Sequence, residues 1–389
     1  MNGKRIDGRS VGSRTNAGRT PPQRNTFFDR RSETGTDGRQ HTLSSSFRMN
    51  IERLALAEWD DGLPSTGFEP FHTAAALSVL DRHAAGDLLP LGGYRGEQLV
   101  GMLPVFVRKV GRARILSSPP PGMAIPHLGP IVMPTSPKQR KREKVTREFT
   151  NGVLDVLGVD AATTLCRFLC HTDYPDPRPY RWAGLSVESS FTYRLQVGDR
   201  SPDDILGSFS RSLRREIRSG EDLDVEIETE GVDGAERVFE ATQARYAEQD
   251  EGFSPSWPYV RDVVADLDER SRVYVARDRG GAYLGGVIAV FSNDAAYYWL
   301  GGARTTHEGV SINSLLHWRI IRDVAEDPPI ESVTEYNLVG ANTERLCRYK
   351  SKFGADLAPY YVVESGGPAM DAAKGAYRVA NQAADRLGL

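Results

Sequence analysis

The chain has 389 residues, a net charge of −3 at pH 7 and a hydrophobic fraction of 39%. This length suits two globular domains with tails rather than one core, and no run reaches the roughly 18 apolar residues that a membrane helix needs. The first 48 residues lack the apolar segment of a signal peptide. Because the three cysteines follow neither a disulfide framework nor a zinc spacing, the sequence predicts a cytoplasmic protein without a metal site.

Charge is unevenly distributed along the chain. Residues 1–48 hold ten Lys/Arg against four Asp/Glu, whereas the remainder holds 39 against 48, a net charge of −9. The first segment is rich in Gly, Arg, Ser and Thr and is predicted to be a disordered basic tail. A mis-assigned start and a tail that binds nucleic acid are the alternatives. The acidic body argues against general electrostatic binding of nucleic acid.

From residue 49 onward the apolar pattern predicts the same order of elements twice. The first half reads as helix 70–81, strands 88–94, 98–109 and 129–133, helix 138–157 and strand 164–171. The second half reads as helices 233–248 and 256–267, strands 272–278, 283–292 and 295–301, helix 312–326 and strand 332–338. This order predicts two tandem α/β units at 49–197 and 198–366, followed by a C-terminal helix at 367–389.

An arginine-rich helix is predicted to begin at Ser201, with Ser as the N-cap and Pro202 after it. One continuous apolar stripe runs from Leu206 to Ile217. Beside the stripe lies a basic face formed by Arg211, Arg214, Arg215 and Arg218. Guanidinium groups match phosphate geometry, so this face is a candidate docking site for an anionic substrate. A solvated face that balances the acidic body is the alternative.

The segment Val333–Val363 predicts a strand, a loop, a helix and a final strand. Helical periodicity places five residues on the inward stripe of that helix, namely Asn342, Leu346, Tyr349, Lys350 and Phe353. A lysine in such a stripe either reaches past the core or points into a site. Gly354 is predicted to end the helix.

The spacing of Asn342, Tyr349 and the Phe353–Gly354 pair resembles the last motif of the GNAT acyltransferase superfamily. A Lys directly after the Tyr, with the order Phe-Gly, is more similar to its FemAB branch, the aminoacyl-tRNA-dependent peptidoglycan-bridge transferases and their relatives. The resemblance covers most of residues 66–364. It implies two tandem GNAT-like domains of α/β (α+β) class, each a mixed, mostly antiparallel sheet flanked by helices.

The resemblance also gives a meaning to the loop between strand 295–301 and helix 312–326. In GNAT enzymes this loop presents backbone N–H groups to the pyrophosphate of coenzyme A, at the positive end of the helix. Here Arg304 and Ser311 are the candidate anion contacts. The glycines are fewer than in the usual pattern, and Glu308 adds a carboxylate that a pyrophosphate would repel. The sequence therefore disfavours coenzyme A at this loop.

Three residues are predicted to carry the chemistry. Strand alternation places Glu335 and Asn337 on one face, where Glu335 could take a proton from an attacking amine. Tyr349 is the candidate proton donor to the leaving group, and Lys350 the candidate positive charge. The alternatives are a carboxylate at a strand edge, a core tyrosine and a lysine that reaches out of the core. Asn337, Asn342 and Phe353 are candidate substrate contacts, whereas Ser314 and His317, on an apolar helix, are predicted to be structural.

These features together predict an N-acyltransferase that moves an acyl or aminoacyl group from an activated ester to an amine of a cell-surface polymer precursor. The donor is expected to be aminoacyl-tRNA or acyl-CoA, with no tightly bound cofactor. The expected partner is an anionic acceptor, a nucleotide- or lipid-linked sugar or peptide, in the cytoplasm or at the inner membrane face. An acyl-CoA-dependent N-acetyltransferase acting on an amino sugar and a binding protein without catalysis are the alternatives.

Overall fold

The computed structural model describes residues 49–249, 252–303, 305–367, 370–372 and 375. The predicted basic tail 1–48 and most of the predicted C-terminal helix 367–389 lie outside the described residues, as does the candidate contact Arg304. Within the described part of the chain, no helix combines the length and the apolar character needed to cross a membrane.

The first half contains β1 (Asn50–Arg53), α1 (Ala74–His83), β2 (Asp87–Arg95), β3 (Gln98–Val110), β4 (Ala113–Ser118), β5 (Ile131–Val132), α2 (Gln139–Leu157), β6 (Thr164–Leu169), α3 (Arg178–Trp182) and β7 (Ser186–Gln196). The elements predicted in this half are present. The sequence does not predict the strands β1, β4 and β7. β1 is short and largely exposed, and the polar run Glu188–Ser190 interrupts the apolar alternation of β7. β4 follows a tight turn and has only one pair of large apolar residues, Ile115 and Leu116.

The second half contains α4 (Pro202–Ser208), α5 (Arg211–Glu221), β8 (Val225–Glu230), α6 (Val232–Glu248), α7 (Trp257–Asp266), β9 (Ser271–Asp278), β10 (Tyr283–Phe291), β11 (Ala295–Gly301), β12 (Thr306–His307), β13 (Val310–Ser311), α8 (Ile312–Glu326), β14 (Glu335–Asn337), α9 (Glu344–Lys350) and β15 (Asp356–Glu364). The predicted bounds of β11 and α8 agree with the structure to the residue.

The arginine-rich segment forms two helices, so the prediction of one continuous helix from Ser201 is wrong. The chain is extended at Phe209, whose ring packs against Trp318 and Phe353 in the core. Ser210 then starts α5 as a new N-cap, accepting a hydrogen bond from the backbone of Leu213. Burying the aromatic ring of Phe209 outweighs continuing the helix through it.

One continuous 13-stranded sheet runs through both halves, in the order β1-β2-β3-β4-β6-β15-β7-β14-β11-β10-β9-β8, with β5 paired to β3. The final strand β15 lies between β6 and β7, and β7 in turn pairs with β14. Each half therefore receives a strand from the other. The β4–β6 and β11–β14 pairs are parallel within a mostly antiparallel sheet, which confirms the predicted fold class. The domain boundary near residue 197 stays a prediction.

Helices cover both faces of the sheet. Alternate residues of β10 show this, because Ile288 and Val290 join the core beneath α1, α6 and α7, whereas Val287 and Ala289 join the core beneath α4, α5 and α8. A third core lies beneath α2 and α3 in the first half. The strands β11 and β14 pair only through Ala295, Ala296 and Tyr297. Beyond Tyr297 the two strands diverge and leave a gap between them.

Candidate active site

The gap between β11 and β14 is bordered by the end of β11, the start of α8 and the inward face of α9. β11 ends at Gly301 and Gly302 follows it, each with a φ of +111°. A side chain at Gly301 would collide with the backbone oxygen of Gly286, so the chain can turn there only with glycine.

Lys350 points into this gap. Thr343 caps the start of α9, and Gly354, with a φ of +65°, ends the turn after it. The Lys350 side chain is 6% exposed, and its Nζ donates to the backbone oxygens of Val339 and, at 3.1 Å, Gly340. Val339 has a φ of +51°, a strained conformation for a β-branched residue of the kind found at functional sites. The predicted inward position of Lys350 is thus confirmed.

The positive charge of Lys350 has no anionic partner among the residues that the structure describes. Burial lowers its pKa from 10.5 to about 8. His317 is also buried nearby, and burial together with the charge of Lys350 lowers the pKa of this histidine to about 3. His317 therefore stays neutral at pH 7, with Nδ1 2.7 Å from the hydroxyl of Tyr336. An ammonium ion in such surroundings is available to stabilise negative charge.

Tyr349 precedes Lys350 on α9, and its hydroxyl contacts the first turn of α8. The Nδ2 of Asn313 donates to its hydroxyl at 2.9 Å, and the hydroxyl of Ser314 is 3.5 Å away. Burial raises the pKa of Tyr349 well above its usual range, against the opposing effect of these two hydrogen bonds. The phenol thus keeps its proton at any physiological pH, as a general acid must.

Glu335 and Lys350 lie on opposite faces of the sheet. Strand alternation sets Glu335 against Tyr336, and the Tyr336 hydroxyl contacts His317 on the Lys350 side. Both oxygens of Glu335 accept from Arg194, at 2.6 and 2.8 Å. Arg194 also donates to Asp173 at 2.8 Å. The predicted proton acceptor is therefore held in an ion pair away from the predicted acid.

Residues 207–351 match the family model for the acetyltransferase (GNAT) domain. This part of the chain is a GNAT acetyltransferase domain. The prediction of an acyltransferase is thereby confirmed, and Lys350, Tyr349 and the β11–β14 gap all lie within the GNAT domain. No curated protein matches the chain.

Solved structures show where this fold occurs. The crystal structure of FemX is similar with a TM-score of 0.60 and 10% identity, over 80% of this chain and 97% of FemX. A conserved protein of unknown function from Bacteroides thetaiotaomicron VPI-5482 has a TM-score of 0.53 and 12% identity, over 82% of this chain and 100% of its own. At such identities the likeness concerns the fold alone, and it confirms the FemAB-like resemblance at that level.

The remaining candidate residues in and around the GNAT domain have structural contacts of their own. Asn342 precedes α9 rather than belonging to it, so its predicted helical position is wrong. Its side chain holds the backbone of Phe191 through two hydrogen bonds of 2.8 and 3.1 Å. Phe353 is fully buried. Asn337 accepts from the Thr192 hydroxyl at 2.6 Å and from the Val339 backbone at 2.9 Å, which fixes the turn that Lys350 contacts.

The arginine face of α5 is solvent-exposed. Arg211, Arg215 and Arg218 are exposed, and Arg214 donates to the backbone oxygen of Gly207 at 2.8 Å. None of the four forms an ion pair with a carboxylate in the described ranges. The face thus keeps its charge available for an anion.

Sequence reasoning missed several residues of this site. Tyr298, whose ring lies 5.6 Å from Nζ of Lys350, and Asn313 are brought in only by the path of the chain. Ser314 and His317, predicted to be structural, contact the site directly. Glu216 accepts from the backbone of Ser311 at 3.2 Å. It is the one acid among residues 211–220, a signal that the sequence did offer.

Proposed function

We propose that this protein is an N-acyltransferase that moves an acyl or aminoacyl group from an activated ester to the amine of a cell-surface polymer precursor. The observation that carries the proposal is the buried ammonium group of Lys350, without an anionic partner in the described structure, in the open gap of a GNAT domain. A lysine that served stability alone would be expected to reach solvent or a carboxylate.

The reaction proceeds by direct attack of the amine on the ester carbonyl. A nitrogen–carbon bond forms and the carbon–oxygen bond of the ester breaks, with no covalent enzyme intermediate. Negative charge grows on the carbonyl oxygen and then on the leaving oxygen, where Lys350 stabilises it. The phenol of Tyr349 supplies the proton that the leaving oxygen takes up. Holding the two reactants together contributes up to about 7–11 kcal/mol in favourable cases.

The attacking amine must also lose a proton. Glu335 accepts this proton if the acceptor approaches from the face of the sheet opposite to Lys350. The acceptor must then replace one of the two hydrogen bonds that the guanidinium group of Arg194 donates to Glu335. The free arginine face of α5 supports an anionic acceptor, such as a nucleotide- or lipid-linked sugar or peptide. The donor that we favour is an aminoacyl ester carried by tRNA, and the site of action is the cytoplasm or the inner membrane face.

A second candidate is an acyl-CoA-dependent N-acetyltransferase that acts on an amino sugar. The specific observation in its favour is the description of the matched family model, which is that of an acetyltransferase domain. The two candidates differ in the carrier of the acyl group, so a transfer assay with both donors separates them.

The test uses the full chain with a labelled aminoacyl-tRNA pool, or with acetyl-CoA, and nucleotide-linked peptide or amino-sugar acceptors. We expect transfer from aminoacyl-tRNA, reduced at least roughly 100-fold by Lys350→Met. Lys352→Met is the matched control, because Lys352 lies two residues away and outside the gap. Transfer from acetyl-CoA alone would establish the second candidate, and normal ligand binding and biological activity in both Lys350→Met and Tyr349→Phe would indicate a binding protein.

A further inference from the structure

The amino terminus of α8 is the natural place for an anion in this domain. A helix leaves its first backbone N–H groups without partners inside the helix, and its dipole adds positive charge there. In this chain the N–H groups of Ser311, Ile312 and Ser314 already have acceptors. Ser311 donates to Glu216 at 3.2 Å, Ile312 to the backbone oxygen of Thr305 at 3.2 Å, and Ser314 to the Ser311 hydroxyl at 3.4 Å.

Backbone N–H groups of the loop before α8 also have acceptors within the protein. The N–H of Gly302 donates to the backbone oxygen of Gly286 at 2.7 Å, and that of Ala303 donates to Oδ1 of Asn313 at 3.2 Å. A phosphate group entering here would have to displace acceptors that belong to the protein. Most of these acceptors are backbone oxygens or short side chains fixed by the fold.

Glu216 is different, because it reaches α8 from another helix and carries a full negative charge. It is half-buried on α5, which packs against α8. One of its oxygens accepts from the Ser311 backbone, and the other accepts from the Ser314 hydroxyl at 3.1 Å. The helix dipole stabilises a carboxylate at this position. The same carboxylate repels a second anion brought within a few ångströms.

We propose that Glu216 is a donor-specificity residue: it fills the amino terminus of α8 in place of a pyrophosphate and so excludes acyl carriers that are held through one. This inference rests on the proposed function. It limits the acyl donor to esters that are bound through groups other than a pyrophosphate. Glu216 also acts on Tyr349, since Ser314 bridges the two. The Ser314 hydroxyl donates its hydrogen bond to Glu216, so the lone pairs of its oxygen remain free to accept from the phenol of Tyr349.

The test measures binding of sodium pyrophosphate, and separately of acetyl-CoA, to the full chain by calorimetry. Three proteins are compared, namely wild type, Glu216→Gln and Glu221→Gln. Glu221 is exposed at the far end of the same helix, so its variant matches the change in charge without touching α8. We expect no measurable binding to wild type or Glu221→Gln. We expect Glu216→Gln to bind pyrophosphate measurably, with a Kd at least roughly tenfold below the detection limit that bounds wild type, and with a marked loss of binding at high salt.

Two results would overturn the inference. One is a folded Glu216→Gln protein, judged by its thermal transition, that binds pyrophosphate no better than wild type. The other is wild-type binding of pyrophosphate or acetyl-CoA with a Kd below about 0.1 mM, a measurement that stands even if the variant fails to fold. Because no turnover is measured, an inactive Lys350→Met protein neither supports nor weakens this inference, and the proposed function is tested separately.

Discussion

Replacing Lys350 by methionine should abolish activity while leaving the protein at least as stable at pH 7. Burial lowers the pKa of Lys350 from 10.5 to about 8. At pH 7 the charged ammonium therefore costs the folded state about 3 kcal/mol relative to the unfolded chain. Methionine removes this cost but leaves the backbone oxygens of Val339 and Gly340 without their donor, at about 1 kcal/mol each. The net expectation is a gain of about 1 kcal/mol.

The pH dependence isolates this effect from other changes. At pH 9.5 an unfolded lysine still binds its proton, whereas the folded Lys350 has largely released it. The unfolded chain then binds more protons, so raising the pH favours folding. The contribution of Lys350 should make wild type about 2 kcal/mol more stable at pH 9.5 than at pH 7. Lys350→Met should lack that gain.

The assay is urea denaturation of wild type, Lys350→Met and Lys352→Met at both pH values. Other titrating groups, such as the buried tyrosines, are common to all three proteins and cancel in the differences between them. The Lys352→Met control should follow wild type. The reasoning is refuted if the difference in unfolding free energy between wild type and Lys350→Met is the same at pH 7 and pH 9.5.

Three further predictions concern other polar side chains of the protein. Glu335→Gln should lower the free energy of unfolding by roughly 2–3 kcal/mol, because it breaks a largely buried pair with Arg194; a loss below about 0.5 kcal/mol in urea denaturation would mean that the pair is not structural. Tyr349→Phe should reduce the transfer rate about 100-fold or more and stability by only about 1 kcal/mol, and an unchanged rate would remove Tyr349 as the acid. Burial lowers the pKa values of His72 and His317 to about 4 and 3, so these histidines stay neutral in the folded protein while the unfolded chain takes up protons below pH 6.5. Unfolding free energy should therefore fall by about 2 kcal/mol per histidine between pH 7 and pH 5, and the His317→Gln protein should lose correspondingly less over that interval.

Local signals in the sequence determined much of the GNAT domain. The bounds of β11 and α8, the turn at Gly354 and the inward position of Lys350 all followed from periodicity and capping. Each of these signals acts over a few neighbouring residues, because hydrophobic faces repeat every turn and caps bind the nearest backbone groups. For the same reason the sequence could already mark Lys350 as an unusual lysine.

Only the tertiary structure decided which segments meet. Glu216 and Ser311 are 95 residues apart, and Arg194 and Glu335 are 141 apart. The pairing of β15 with β6 and β7, and of β7 with β14, likewise joins strands far apart in the sequence, and no local pattern predicts it. The break at Phe209, which overturned the single arginine-rich helix, came from a core formed by distant rings. Such contacts depend on the path of the whole chain and on the register of a sheet that both halves share, and short-range propensity contains neither.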